Sequence, residues 1–172
     1  MTTPSSQPDS AQHRGISSAI GLAGFLLLCY AVAGVGALST VPNIPTWYAT
    51  LNKPAFNPPN WIFGPVWTLL YTLMAIAAWI VWRKHSTSTT RLDALMVFGL
   101  QLTLNFLWTP IFFHFHQLLT AVVVIALLWL AILATILMFW RVSRLAATLL
   151  LPYLAWVSFA AALNVAILSL NS

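Results

Sequence analysis

Long apolar runs separated by short polar segments dominate the chain. These runs lie at about 16–41, 61–82, 92–113, 117–140 and 145–170. Each is long enough to cross a hydrocarbon core, which needs ~20 helical residues. The later connections, 83–91, 114–117 and 141–144, are short and favour antiparallel neighbours. The pattern predicts an all-α integral membrane protein, a bundle of five transmembrane helices.

The segments outside these runs have two different compositions. Residues 1–15 are rich in Ser, Thr, Gln and Pro, which predicts a disordered tail before a single membrane domain at 16–170. Residues 42–60 carry five prolines, which disfavour regular helix and predict a long structured loop between helices 1 and 2. Pro110 and Pro152 fall inside apolar runs, where each is expected to kink or loosen its helix.

The N-terminal region has a second interpretation. Arg14, the apolar run after it and the small-residue pattern Ala31-Val32-Ala33 also fit a signal peptide that is cleaved after residue 33. The apolar run continues beyond that site, which favours a first membrane span instead.

Charge is scarce and placed between the apolar runs. The chain is 60% hydrophobic and 5% charged, a composition that excludes an ordinary soluble domain. Its net charge of +5 comes from scattered residues rather than a basic stripe, so we predict no nucleic-acid partner. Five spans put nearly all basic residues on the side of the N-terminal tail, and only Lys53 on the other. The basic residues on the tail side are Arg14, Arg83, Lys84, Arg91, Arg141 and Arg144. The positive-inside rule therefore predicts a cytoplasmic N-terminus.

Amide and aromatic side chains recur on two helix faces. The rows are Gln101, Asn105 and Trp108 in span three, and Trp156, Ala160 and Asn164 in span five. One interpretation is that the amides only hydrogen-bond between helices. The other is that they line an aromatic pocket together with Trp67 and Tyr71, because ligand pockets are mainly apolar with few polar anchors.

Other candidate chemistry is sparse. No acidic or basic residue lies at mid-depth of a span, which disfavours an ion-driven transporter, and no residues are predicted to be catalytic. His114 and His116 lack a carboxylate or thiolate partner, so we predict no metal site and no required cofactor. The single cysteine, Cys29, is expected to pack in its span.

Three segments resemble one membrane-protein family. They are WYATLNKPAFNPPNWIFGPVWTLLY at 47–71, QLTLNFLWTPIFF at 101–113 and SRLAATLLLPYLAWVSFAAALN at 143–164. Together they resemble the signature of the TspO/MBR family, also called translocator proteins or tryptophan-rich sensory proteins. The resemblance covers roughly residues 16–170, with the spans in the same order.

The resemblance implies a five-helix bundle, often a homodimer, that binds porphyrins, sterols or benzodiazepine-type ligands beneath its first loop. The implied ligand-binding residues are Tyr48, Trp67, Asn105, Trp156 and Ala160, with Trp47, Trp61, Tyr71, Gln101, Trp108 and Asn164 as neighbours. A porphyrin would stack on tryptophan, and its carboxylates are expected to lie at the rim near Lys53.

The chain also departs from the family pattern. The end of span five, Val165–Ser172, lacks the Tyr and basic residue of the sterol-recognition pattern of animal relatives. Val124 stands where several relatives have an acidic residue. The first departure favours a porphyrin-related role over sterol binding, and the second argues against any function that rests on that carboxylate.

Three function classes follow from these patterns. The first is a binding or sensory protein for tetrapyrroles that influences their metabolism or a stress response. The second is an enzyme whose tryptophans help to oxidise a bound porphyrin, although the chain shows no nucleophilic side chain paired with a general base. The third is a porphyrin, sterol or lipid carrier, although no inverted repeat is evident.

Overall fold

A computed structural model describes residues 9–84 and 88–172, with side chains described for 18–84 and 89–172. All regular secondary structure within these ranges is helical. The α-helices are α1 Asp9–Thr40, α2 Trp47–Thr50, α3 Phe63–Arg83, α4 Ser88–Phe113, α5 Leu118–Val142, α6 Arg144–Thr148 and α7 Leu151–Asn171. Short 3₁₀ turns at Val41–Asn43 and Asn60–Ile62 flank the loop that contains α2.

Five segments are long and apolar enough to cross a membrane. They are Ser18–Asn43, Asn60–Arg83, Thr89–Phe113, Leu118–Val142 and Arg144–Asn171. The fifth span combines α6 and α7. The predicted five-helix integral membrane fold is therefore confirmed.

The first helix begins earlier than predicted. Residues 9–15, which were assigned to a disordered tail, continue α1 at its N-terminal end, and residues 1–8 lie outside the described residues. Extending an existing helix costs far less free energy than nucleating one, and Ala11, Gln12 and Arg14 are good helix formers. Composition alone therefore placed the boundary too late.

The two intrahelical prolines have different outcomes. Pro152 lies in the first turn of α7, directly after the helix is interrupted at Leu149 and Leu150. That break agrees with the predicted loosening, since the first turn needs no proline N–H. Pro110 lies inside α4, which continues to Phe113, and the Pro110 carbonyl accepts from the backbone N–H of His114 at 2.9 Å.

The spans form a closed ring. Helix α1 packs between α3 and α4, α4 forms an antiparallel pair with α5, and α5 packs on α6 and α7. Contact of α6 with α3 closes the ring. Fully buried Ala75, Ala77 and Ala78 allow close packing around α3, because small residues let helix backbones approach. The sequence did not predict this order.

Helix α1 is the least buried of the five spans. One of its tight contacts is at Gly21, where an added Cβ would overlap the Trp82 ring of α3. Gly24, nearly one turn later on the same helix, has no atom within 4 Å of an added Cβ. The two glycines therefore form a matched pair for testing the packing of α1 on α3.

Gly21→Ala is expected to destabilise the protein relative to Gly24→Ala by about 1 kcal/mol, because the Trp82 ring must move away. The measurement is thermal unfolding in detergent, followed by the reaction of a maleimide dye with Cys29, which is fully buried and is the single cysteine of the chain. Equal unfolding temperatures for the two variants would contradict the described α1–α3 packing.

Candidate functional site

A cavity of about 610 Å³ lies in the half of the bundle nearest the α1–α3 loop. The loop, α1, α3, α4 and α7 all contribute to its wall. Residues predicted from the sequence that line it are Tyr48, Trp61, Trp67, Tyr71, Asn105, Trp108, Trp156, Ala160 and Asn164. Their role in ligand binding stays a prediction, but the fold brings them together from four separate segments.

Aromatic rings make up much of the cavity wall. On one side, Trp67 lies 5.6 Å from Tyr71 between ring centroids, with an angle of 34° between the planes. On another, Trp108 stacks on Phe112 at 5.4 Å and 19°. Phe63 meets Trp156 edge to face at 5.9 Å. Aromatic side chains of α3, α4 and α7 therefore all contribute to the wall.

A chain of buried hydrogen bonds lies at the base of the cavity. The Tyr71 hydroxyl donates to Asn105 Oδ1 at 2.8 Å, and Asn105 Nδ2 donates to the Tyr153 hydroxyl at 2.6 Å. That hydroxyl in turn donates to Gln101 Oε1 at 3.1 Å. Gln101 does not line the cavity. Its amide oxygen joins α4 to α7 through Tyr153, whereas its amide nitrogen is buried without a partner among the described residues.

Lys53, the expected partner of a ligand carboxylate, bonds to the loop itself, and its role toward a ligand stays a prediction. It does not line the cavity, and its ammonium donates to the carbonyl oxygens of Tyr48 and Leu51, both at 2.7 Å, with a longer contact of 3.4 Å to that of Ala49. These carbonyls belong to the short helix α2 and its C-cap, whose last carbonyl groups have no intrahelical partner. Lys53 therefore stabilises the loop.

Tyr48 connects the loop to the cavity. Its ring lines the cavity, and its hydroxyl donates to Asn57 Oδ1 at 2.7 Å. Burial raises the pKa of Tyr48, an effect that the hydrogen bond to Asn57 partly offsets. The phenol therefore stays neutral and able to donate at physiological pH.

Trp47 also does not line the cavity. Its indole stacks on the His116 ring, with centroids 4.1 Å apart and an angle of 16°, and meets Phe112 edge to face. This contact holds the loop against the α4–α5 turn, where His116 has a positive φ of 56°. Among the described residues, no group of three His, Cys, Asp or Glu side chains could hold a metal ion.

The loop is also joined to the end of the chain. The backbone N–H of Asn52 donates to Asn171 Oδ1, and Asn171 Nδ2 donates back to the Asn52 carbonyl oxygen, both at 2.9 Å. This reciprocal pair fixes the middle of the loop to the C-terminal end of α7. The loop is thus attached to the bundle on two sides.

The contribution of α1 to the cavity was not predicted from the sequence. Tyr30, Ala33, Gly36, Ala37 and Thr40 all line the cavity. From Ala33 onward, the small residues recur at a spacing of three and four, which places them on one helix face. That spacing was the available signal, but small residues on one face are equally typical of helix packing.

Comparison with known proteins identifies relatives over most of the chain. The profile of the TspO/MBR family matches residues 25–170. The tryptophan-rich protein TspO of Archaeoglobus fulgidus is 43% identical over 151 residues, which cover 88% of this chain and 97% of that protein. The tryptophan-rich sensory protein of Cereibacter sphaeroides is 40% identical, covering 86% and 89%. The human translocator protein is 44% identical over 121 residues, covering 69% and 70%.

Removal of the hydroxyl at the centre of the buried hydrogen-bond chain should destabilise the bundle. We expect Tyr153→Phe to lower the free energy of unfolding by about 1–2 kcal/mol, because the buried amides of Asn105 and Gln101 each lose a partner. Tyr30→Phe is the control, since its hydroxyl bonds Thr72 at 2.7 Å at an exposed position. A smaller loss for Tyr153→Phe than for Tyr30→Phe in thermal unfolding would contradict the importance of the chain.

Proposed function

The chain belongs to the TspO/MBR family, and from that premise we propose that it is a membrane-embedded binding protein for flat apolar ligands, with tetrapyrroles as the leading class. Such a protein would act as a sensor or store that influences tetrapyrrole metabolism or a stress response. The observation that carries the proposal is the aromatic cavity beneath the loop. Its volume of about 610 Å³ falls in the range of small-molecule sites, about 300–1,000 Å³.

The composition of the wall supports a planar ligand. Indole and phenol rings favour offset or edge contacts with another aromatic system, and each such contact contributes about 0.5–1.5 kcal/mol beyond the buried area. Trp67 on α3 and Trp156 on α7 both present rings to the cavity from different helices. A macrocycle can contact both at once, whereas a flexible alkyl chain cannot use their ring faces in this way.

The position of the exposed lining residues supports entry from the bilayer. Gly34 and Ala37 of α1, and Gly64 and Thr68 of α3, line the cavity and are also exposed on the surface of the bundle. These side chains are small or absent, so they obstruct little of the space between α1 and α3. An apolar ligand dissolved in the membrane would therefore reach the aromatic wall without crossing the loop.

We also propose that the N-terminus is cytoplasmic and the loop lies on the opposite side. The support is the charge distribution, in which Lys53 is the one basic residue expected on the loop side. Ser172→Cys combined with Cys29→Ser should react with a membrane-impermeant maleimide added to intact spheroplasts. Labelling that requires lysis would contradict this orientation.

Binding is tested by titrating the detergent-purified protein with protoporphyrin IX and following the Soret band. We expect Trp67→Phe and Trp156→Phe each to weaken binding about threefold to tenfold, because a smaller ring retains part of the stacking surface. Trp140→Phe is the control, since this tryptophan is 49% exposed and lies at the opposite end of the bundle from the loop.

Affinities that do not change in either cavity variant would contradict the proposed site. The same titration under illumination separates binding from chemistry. Loss of the Soret band with time would indicate oxidation of the porphyrin, whereas a stable shifted band indicates binding alone.

A further inference from the structure

The turn between α5 and α6 is short and carries two cations. Helix α5 ends at Val142, α6 begins at Arg144, and Ser143 between them is extended, with φ −157° and ψ 113°. Arg141 and Arg144 therefore lie on either side of a one-residue break, and both are exposed. Chain connectivity keeps the two residues at one corner of the bundle, at the end opposite the α1–α3 loop.

One of the two guanidinium groups is held in place. Arg144 Cζ lies over the Trp140 ring, 5.7 Å from its centroid, and Trp140 is in the last turn of α5 with 49% of its surface exposed. Stacking on an indole uses the flat face of a guanidinium and leaves the N–H donors in its plane for a further partner. Arg144 is thus oriented by the protein but not neutralised.

Nothing in the described part of the chain neutralises this corner. Asp93 is the one acidic residue whose side chain the structure describes, and it forms no ion pair with Arg141 or Arg144. Two cations so close along the chain repel each other, and an anion bound between them removes that repulsion. The corner therefore favours a negatively charged partner.

The surface beside the corner is apolar. Leu137, four residues before Arg141 and on the same face of α5, is 59% exposed. Because α5 is long and apolar enough to cross a membrane, Leu137 lies toward the hydrocarbon and Arg141 at the interface, where exposed indoles such as Trp140 concentrate. A soluble anion would match the cations alone, whereas a lipid with an anionic headgroup matches the cations and the apolar surface together.

We propose that this α5–α6 corner, formed by Arg141 and Arg144, binds the phosphate of an anionic glycerophospholipid such as phosphatidylglycerol, with an acyl chain along Leu137. Guanidinium groups bind phosphate oxygens through charge-assisted hydrogen bonds, and basic pockets beside membrane helices bind anionic headgroups. Phosphatidylcholine has the same phosphate but also a quaternary ammonium, which the two arginines repel. The proposal goes beyond tetrapyrrole binding and does not depend on it.

Arg83 provides a matched control. It is exposed at the same end of the bundle, and its Cζ lies 4.6 Å from the centroid of the Trp79 ring. That indole donates to the Ser18 carbonyl oxygen of α1 at 2.8 Å, so Arg83 lies on the side of α3 that faces α1. Changing Arg83 or Arg144 to Gln removes the same charge and the same stacked group, but only Arg144 belongs to the corner.

The test measures which lipid lies beside Leu137. An NBD fluorophore is attached to Leu137→Cys in a Cys29→Ser background, in phosphatidylcholine liposomes with a small fraction of doxyl-labelled phosphatidylglycerol or doxyl-labelled phosphatidylcholine. We expect the anionic lipid to quench about threefold to fivefold more strongly, since one basic residue near the surface contributes about that factor. Arg144→Gln should lower the ratio to below about twofold, whereas Arg83→Gln should leave it unchanged.

The position of the label provides a second control. Leu119 lies in the first turn of the same helix, at the loop end, and is 65% exposed. The fluorophore on Leu119→Cys should be quenched equally by the two lipids. If Leu137→Cys does not fold, Leu145→Cys carries the label instead, because Leu145 adjoins Arg144 and is 61% exposed.

Three results would overturn the proposal. The first is equal quenching by the two lipids beside the corner. The second is an equal loss of the ratio in Arg83→Gln and Arg144→Gln, which would indicate the general positive potential of this end of the protein. The third is a preference that disappears when phosphate replaces chloride at the same ionic strength, which would assign the corner to a free anion.

Discussion

The hydrogen-bond chain through Asn105 is the interaction on which the rest of the bundle depends. In a bilayer, packing and hydrogen bonds hold helices together, because lipid tails are as apolar as the helix surfaces. The chain joins Tyr71 of α3, Asn105 and Gln101 of α4, and Tyr153 of α7, and so fixes three of the five spans relative to one another. Below it the bundle is filled by side chains, and above it the helices leave a cavity.

The upper boundary of that cavity depends on the loop, which has a different means of support. Its prolines cannot supply a regular set of backbone hydrogen bonds. Side chains replace them, with Lys53 bonding the carbonyls of α2, Asn52 pairing with Asn171, and Trp47 stacking on His116. The Lys53 ammonium, which the sequence suggested as a partner for a ligand carboxylate, therefore stabilises the loop. The result is a wall that is polar at isolated atoms but carries no net charge among its described residues.

Hydropathy was sufficient to predict the spans because the bilayer imposes one length and one composition on every crossing helix. Helix spacing also predicted which side chains share a face, and the rows on α4 and α7 do contribute to the cavity. The order of the helices, the contribution of α1 and the contacts of Lys53 and Trp47 were not predictable. Each of these depends on residues distant in the sequence, for which periodicity carries no signal. Gln101 illustrates the limit, since it lies one turn from Asn105 but outside the cavity wall.

The two buried asparagines show why the same residue type on the same cavity can have opposite roles. An asparagine in a span is costly when alone and stabilising when paired, and the sequence of its own helix does not decide which applies. Asn105 has tyrosines on α3 and α7 within reach, whereas neither amide atom of Asn164 has a partner among the described residues. Unpaired amide atoms lower the stability of the bundle, and among the described residues they occur both in the cavity wall, at Asn164, and outside it, at Gln101 Nε2.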